Sequence, residues 1–305
     1  MKDYLNEIND KFPIRRSDKH KQSFFDYVKG ELGEGRVFKE TLEKKHNNIV
    51  IDDISSADLI FTAHYDTPAA SVIPNFMMPK NKILGTLINI IFPILMSFIC
   101  IGAAFLIGCI AKLDTPAIAG IYLIFYLGLF YCLTRLFDNK HNKNDNTSGV
   151  ATVISISNQV KYNRVAFVLF DNEEKGLLGS KALNKKYKAE VENKLVINLD
   201  CVGNGDNIVF IPKDKAEARE EYALLKDIAC DIDEYKIHFV PFKKACGNSD
   251  HKSFPCSIGV MAGNKGKIAK IFTGRIHTSR DTVASEKNIY FLTDVMVKMI
   301  EKRQT

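Results

Sequence analysis

Five short stretches place histidines and carboxylates after apolar runs or within turn-rich segments. His64-Tyr65-Asp66 follows the apolar run 59–63. Side chains two apart on a strand share a face, so Asp66 can hold one imidazole nitrogen of His64 while the other binds a metal. Asp171-Asn172-Glu173-Glu174 ends the run 164–170. Adjacent carboxylates repel, and a bound dication would supply the compensating charge. One glutamate could then ligate while its neighbour works as general base; a solvated acidic loop is the alternative. Asp200 follows 195–199 directly, as a site residue or as a cap or turn residue. Asp145 lies in Asn144-Asp145-Asn146-Thr147-Ser148-Gly149, before a helical pattern, where capping is the competing role. His277 stands shortly before Asp281-Thr282, where a lone histidine would more often be structural. Imidazole nitrogen and carboxylate oxygen both suit zinc, with positions left open for water and substrate.

These residues need a scaffold that gathers strand ends. Strands are expected over 48–52, 59–63, 164–170, 195–199 and 207–211, and helices over 148–160, 216–232 and 287–302. Their alternation predicts an α/β fold with a mostly parallel sheet covered on both faces, whose ligands bind beyond the carboxyl ends of the strands. The chain has 305 residues, 46% of them hydrophobic, enough for a core without disulfides. Seven cysteines, with no C-x-x-C pair, point to a reducing compartment. The net charge of +6 comes from lysines interleaved with acids and no basic-aromatic motif is present, so no nucleic-acid partner is expected. The N-terminal MKDYLNEIND has no apolar core and does not read as a secretory signal.

Between His64 and Asp145 the pattern breaks. No charged residue occurs from 83 to 111, and a second charge-free run covers 115–134. A bilayer span needs about 20 apolar residues. Neither run carries the polar face of an ordinary core helix. The expectation is a transmembrane hairpin meeting the lipid bilayer through residues 83–134, with a kink or interfacial part near Asn89 and Pro93. A hairpin buried in an oligomer interface is the alternative. Lys80 and Lys82 precede it, Arg135, Lys140 and Lys143 follow it, and the connector offers only Lys112 against Asp114. The positive-inside rule then puts both ends, and the catalytic domain, in the cytoplasm at the cell membrane. Two spans return the chain to its starting side, so His64 and Asp145 can reach one metal centre. Fully extended at about 3.3–3.6 Å per residue, the stretch 135–144 reaches at most about 35 Å and keeps that centre near the membrane.

As an ordered set, the motifs resemble the two-zinc aminopeptidase family, relatives of leucyl aminopeptidases, glutamate carboxypeptidase and glutaminyl cyclase. That family's pattern is H-x-D, N-D-N-x-S-G, E-E-x-G, an Asp, and a His shortly before D-T. All five elements occur here in order, over residues 50–80 and 140–285, on either side of the hairpin. The resemblance implies a three-layer zinc-exopeptidase fold interrupted by a two-helix insert. Residues 1–79 and 138–305 would form the catalytic domain and 80–137 the hairpin. It implies two Zn2+ ions per chain, with His64 and Asp200 on one, Glu174 and His277 on the other, and Asp145 bridging them. Glu173 would be the general base and Asp66 would orient His64. The implied activity is that of a membrane-tethered metallo-aminopeptidase releasing N-terminal residues from peptide substrates. Another two-zinc amide hydrolase, a dipeptidase, a glutaminyl cyclase-like enzyme and an inactive binding module are the alternatives. The stretch 249–254 also resembles a family element beside the substrate cleft; a helix start with Ser249 or Asp250 as cap is its other reading, and no metal ligation is assigned to it.

Overall fold

The computed structural model describes residues 2–72, 75–160, 164–232 and 234–303. Its strands are β1 (Val37–Leu42), β2 (His46–Ile51), β3 (Leu59–His64), β4 (Ala69–Ala70), β5 (Asn75–Met77), β6 (Phe137–Asp138), β7 (Val165–Phe170), β8 (Leu195–Leu199), β9 (Asn207–Pro212), β10 (Lys236–Phe239), β11 (Ser257–Gly266) and β12 (Lys270–Ile276). The main sheet runs β1-β2-β7-β3-β8-β11, with β9 and β10 beyond β11. The four central strands β7, β3, β8 and β11 are mutually parallel. Antiparallel β2 and β9 flank them. The far end of β11 pairs instead with β12, which continues to β5.

Every residue of β3, β7 and β8 is buried, as the near-continuous apolar runs require of strands covered on both faces. Alternation sorts their side chains. Leu59, Phe61 and Ala63 pack with the helices Tyr4–Lys11, Asp18–Leu32, Gly149–Gln159, Glu220–Cys230 and Glu286–Lys302. Ile60 points the other way, towards Ala182 and Leu183 of the helix Leu178–Lys186. The result is the three-layer α/β architecture expected from the alternation of elements. Most elements fall within one or two residues of the expected bounds, and two departures have a backbone cause. Asp52 adopts a left-handed φ of 63°, which ends β2 at Ile51. The helix expected over 216–232 is two, Asp214–Glu217 and Glu220–Cys230, because Arg219 is extended between them.

The N-terminal stretch contributes more than its polar composition suggests. Arg15 is fully buried and joins three segments. It donates to the carbonyls of Tyr65 (2.6 Å) and Phe12 (2.8 Å) and to Thr147 Oγ1 (3.0 Å). Burial lowers its pKa to about 10, which leaves the guanidinium charged at neutral pH. Arg15→Ala strands these acceptors and opens a cavity, and is expected to cost about 3 kcal/mol or more. A thermal midpoint in detergent within a degree of wild type would contradict this.

The insert forms two antiparallel helices, Lys82–Ala111 and Thr115–Thr134, each long and apolar enough to cross a membrane. Only 17% of the most apolar window of the first is buried and none of the second, so neither is a core helix of the domain. Met96, Cys100, Ala104 and Gly108 recur every fourth residue as the buried stripe of the first helix. A Cβ on Gly108 would collide with the side chain of Ile118, so any larger residue at this crossing would have to displace it. Ser97 and Tyr122 share a 3.0 Å hydrogen bond across the pair. Lys82–Ala111 continues through Pro93. At the base, β4 pairs with β6, and Val72 N–H donates to the Leu133 carbonyl at 2.9 Å.

Candidate metal centre

The carboxyl ends of β3, β7 and β8 converge with the loop before the helix Gly149–Gln159. There Asp145 turns its two oxygens to two imidazoles: Oδ1 is 3.2 Å from His64 Nε2, and Oδ2 is 3.1 Å from His277 Nε2. Asp200 Oδ1 lies 3.7 Å from His64 Nε2, and Glu174 Oε2 lies 3.3 Å from His277 Nε2. Two donor sets result, His64–Asp145–Asp200 and Asp145–Glu174–His277, with Asp145 common to both. Ligands on a tetrahedral zinc at 2.0–2.1 Å stand about 3.3 Å apart, which these separations match.

Each side chain is positioned by specific backbone anchoring. Asp281 receives the N–H groups of Asn144 (3.1 Å) and Asp145 (2.9 Å), one on each oxygen. Asn146 donates to the Leu199 carbonyl and accepts from Cys201 N–H, tying the Asp145 loop to the loop that carries Asp200. Asn144 accepts from Gly203 N–H at 2.8 Å. The asparagines therefore cross-link two strand ends, and Asn146 also caps the helix by accepting the Gly149 N–H at 3.1 Å. A Cβ on Gly149 would fall 2.2 Å from the Leu199 carbonyl oxygen, so only glycine fits between them. His64 Nδ1 sits 3.1 Å from the Asp66 carbonyl oxygen and 3.7 Å from its carboxylate. That carboxylate chiefly accepts the N–H groups of Glu173 (3.0 Å) and Glu174 (3.2 Å). Asp66 thus holds His64 through its backbone and the Glu173-Glu174 turn through its side chain. Asn172, Cys201 and His277 adopt left-handed φ of 55°, 55° and 62°, a concentration of uncommon backbone around one centre.

Electrostatically, carboxylates outnumber the imidazoles in the cluster. Glu174 Oε1 and Asp200 Oδ1 are buried without a hydrogen-bond partner among the described residues. Burial first, and then the neighbouring Asp145, push Glu174 from an ordinary 4.5 up to about 8. Burial pushes Glu173 well above the carboxylate range, with Glu174 and Asp250 adding to it. Burial and Asp145 raise Asp281 from 3.8 to about 7. Burial alone would lower His277, but Glu174 and Asp145 outweigh it and hold it at about 9. Orphaned oxygens beside imidazoles of this donor type fit a pair of divalent cations.

This fit has a sign that can be checked. A group whose folded pKa is raised stabilises the fold fully below its unfolded pKa and loses that contribution as pH rises through the folded value. Glu174 and Asp281 act in this sense between about pH 4 and 8, and His277 up to about 9. The lowered Asp145 acts oppositely, at and below its ordinary 3.8. The metal-free protein should lose stability from pH 5 to pH 8, and zinc should raise its Tm more at pH 8. Equal zinc-induced shifts at the two pH values would contradict it.

All seven residues singled out from the sequence lie in or beside this cleft of about 310 Å3, six of them on its walls and Asp66 beneath. Asp250 joins them, fully buried in the short helix Asp250–Ser253, where burial lifts it to about 7. Arg135 also lines the cleft and donates to the Glu174 carbonyl at 3.2 Å. Lys21, buried in an N-terminal helix, reaches Asp171 at 2.5 Å and supports the Glu173 turn from behind. Arg135 and Lys21 carry no sequence signal tying them to the site; both act over long separations.

Comparison with known proteins agrees with this fold. By overall structure the chain is similar to the Legionella pneumophila LapA aminopeptidase (13% identity, 98% of this chain, 68% of that one, TM-score 0.56). It is also similar to a Zn-dependent exopeptidase from Parabacteroides distasonis (16% identity, 97% and 95% covered, TM-score 0.58). Porphyromonas gingivalis glutaminyl cyclase has the same TM-score of 0.58 at 12% identity, with 98% and 96% covered. At these identities the likeness is one of fold. Among curated proteins no sequence matches the chain. Residues 139–298, more than half of the chain, match Peptidase family M28; His64 and Asp66 lie outside that match and join the site through β3. The chain belongs to peptidase family M28.

Proposed function

We propose that the protein is a two-zinc aminopeptidase anchored in a membrane by residues 83–134, with its catalytic domain, residues 1–79 and 138–305, on the cytoplasmic side. The observation that carries the catalytic reading is Asp145, with one oxygen at each of two histidines. His64 and Asp200 would complete one ion's set, and Glu174 and His277 the other's. Bound there, zinc supplies Lewis-acid polarisation of the scissile carbonyl and an acidified water. Glu173 would be the general base, taking a proton from the attacking water and giving one to the departing amine. The carboxylates lining the cleft favour a protonated peptide N-terminus over a blocked one. The anchoring reading rests on two long apolar helices that the domain leaves almost unburied, flanked by Lys80, Lys82, Arg135, Lys140 and Lys143.

A peptide-library digest with the zinc-loaded protein, read by mass spectrometry, tests the activity. Release of N-terminal residues, abolished by N-acetylation of the peptides, is the expected result. C-terminal trimming, cleavage of dipeptides alone, or cyclised N-terminal glutamine would replace the aminopeptidase reading with an alternative on the same scaffold. Recovery of the whole chain as a soluble monomer without detergent would defeat the anchor.

A further inference from the structure

The metal cleft is open towards the hairpin. A second cavity, of about 480 Å3, adjoins the first and shares Asn75, Arg135, Glu174 and His277 with it. Its other walls include Ile88, Ile91 and Phe92 of the first hairpin helix and Phe130 of the second, with Asn89 and Thr134 among them. Ile91 is 58% and Phe130 37% exposed, so this cavity opens on the outer, apolar surface of the helices.

Helix lengths fix its level. At 1.5 Å per residue, Lys82–Ala111 is about 45 Å long and Thr115–Thr134 about 30 Å. The shorter helix matches the hydrocarbon core, about 30 Å thick. The first helix therefore carries about 15 Å beyond it on the domain side, and Ile88, Ile91 and Phe92 stand at the boundary between lipid and cleft. An occupant must be apolar against these residues, polar against Asn89 and Thr134, and continuous with a group held at Glu174 and His277. An acyl chain satisfies only the first condition, whereas a peptide with apolar side chains satisfies all three.

We infer that the hairpin is a wall of the substrate site as well as an anchor: its cavity receives the apolar side chains of amphiphilic peptides partitioned into the lipid surface and delivers their N-termini to the metal centre. This inference rests on the peptidase reading above. Two measurements on the full-length protein in lipid nanodiscs separate their failures. In the first, kcat/KM is compared for an apolar peptide and its serine- and glycine-substituted analogue. Phe92→Ser and Phe130→Ser should each lower the apolar-to-polar ratio by about tenfold or more, in the range that pocket contacts with apolar groups supply. Ile110→Ser, at the far end of the hairpin, should leave the ratio where it is. In the second, Phe92→Cys is labelled with a maleimide beside the wild-type protein. An apolar peptide with a non-cleavable N-methylated first bond should slow the added labelling, and its polar analogue should not.

Protection without any hydrolysis by the wild-type enzyme would keep the cavity and remove the peptidase reading. Hydrolysis with an unchanged ratio and no protection would overturn the cavity proposal and keep the peptidase. Equal protection by a fatty acid would make the occupant a lipid, which also overturns it.

Discussion

Replacing Glu173 by glutamine is expected to lower kcat by about 10²–10⁴-fold while leaving KM and zinc content close to wild type. The substitution keeps shape and hydrogen-bonding reach but removes the ability to accept a proton. The turn should persist, because Asp66 holds it through the main-chain N–H groups of residues 173 and 174. Zinc content is the deciding companion measurement. Glu173 also lies within ligand distance of His64 and Glu174. A variant that loses metal together with activity would make Glu173 a ligand, and one that keeps both would remove it as the base.

Asp145→Ala should be the more damaging change to the metal site itself. Its side chain is common to both donor sets, so its loss leaves each ion one donor short and restores like-charge repulsion among Asp200, Glu173 and Glu174. The expected zinc content falls below two per chain. The remaining affinity should drop by more than the 10–100-fold that loss of an outer-shell partner costs. Hydrolysis should fall below detection. The fold should survive, because the anchoring bonds of this loop to Asp281 and Leu199 use the main chain of residues 144 and 145 and the Asn146 side chain. Two zinc ions retained in a correctly folded variant would end the bridging role.

The candidate site was legible because its chemistry is written at strand ends. Asp200 directly after Leu195–Leu199 and the Glu173 turn after β7 are local patterns, and the parallel sheet brings such ends together. The hairpin was legible for the same reason, as a local excess of apolar residues without a polar face. What the sequence hides is long-range or amphipathic. The helices Tyr4–Lys11 and Asp18–Leu32 bury only Tyr4, Leu5, Ile8, Lys21, Phe24, Val28 and Leu32, too sparse a pattern to stand out in polar sequence. β11 switches partners along its length, which no periodicity announces. Capping was one reading of this segment, and Asn146 does accept the Gly149 N–H, but the bonds of Asn144 and Asn146 to residues 199–203 join stretches far apart in sequence, which only the fold shows. Asp66 has the expected neighbour, but its carboxylate bonds chiefly to the turn opposite.

The position of β3 in the sheet has a consequence for biosynthesis. This strand, buried along its whole length, pairs with β7 on one side and β8 on the other. Both partners lie beyond the hairpin in sequence. At synthesis rates of about 5–20 residues per second, roughly 5–20 s separate the emergence of His64 from that of Phe170. During that interval the nascent chain displays an apolar strand with both edges unpaired, while the hairpin emerges behind it. Synthesis of the hairpin therefore precedes closure of the sheet, and the two histidine-bearing halves of the site meet only after the hairpin has emerged. Until then β3 is open to misassociation, so under the anchoring proposed above, slowed insertion of the hairpin should appear first as aggregation of the N-terminal third and only later as lost activity.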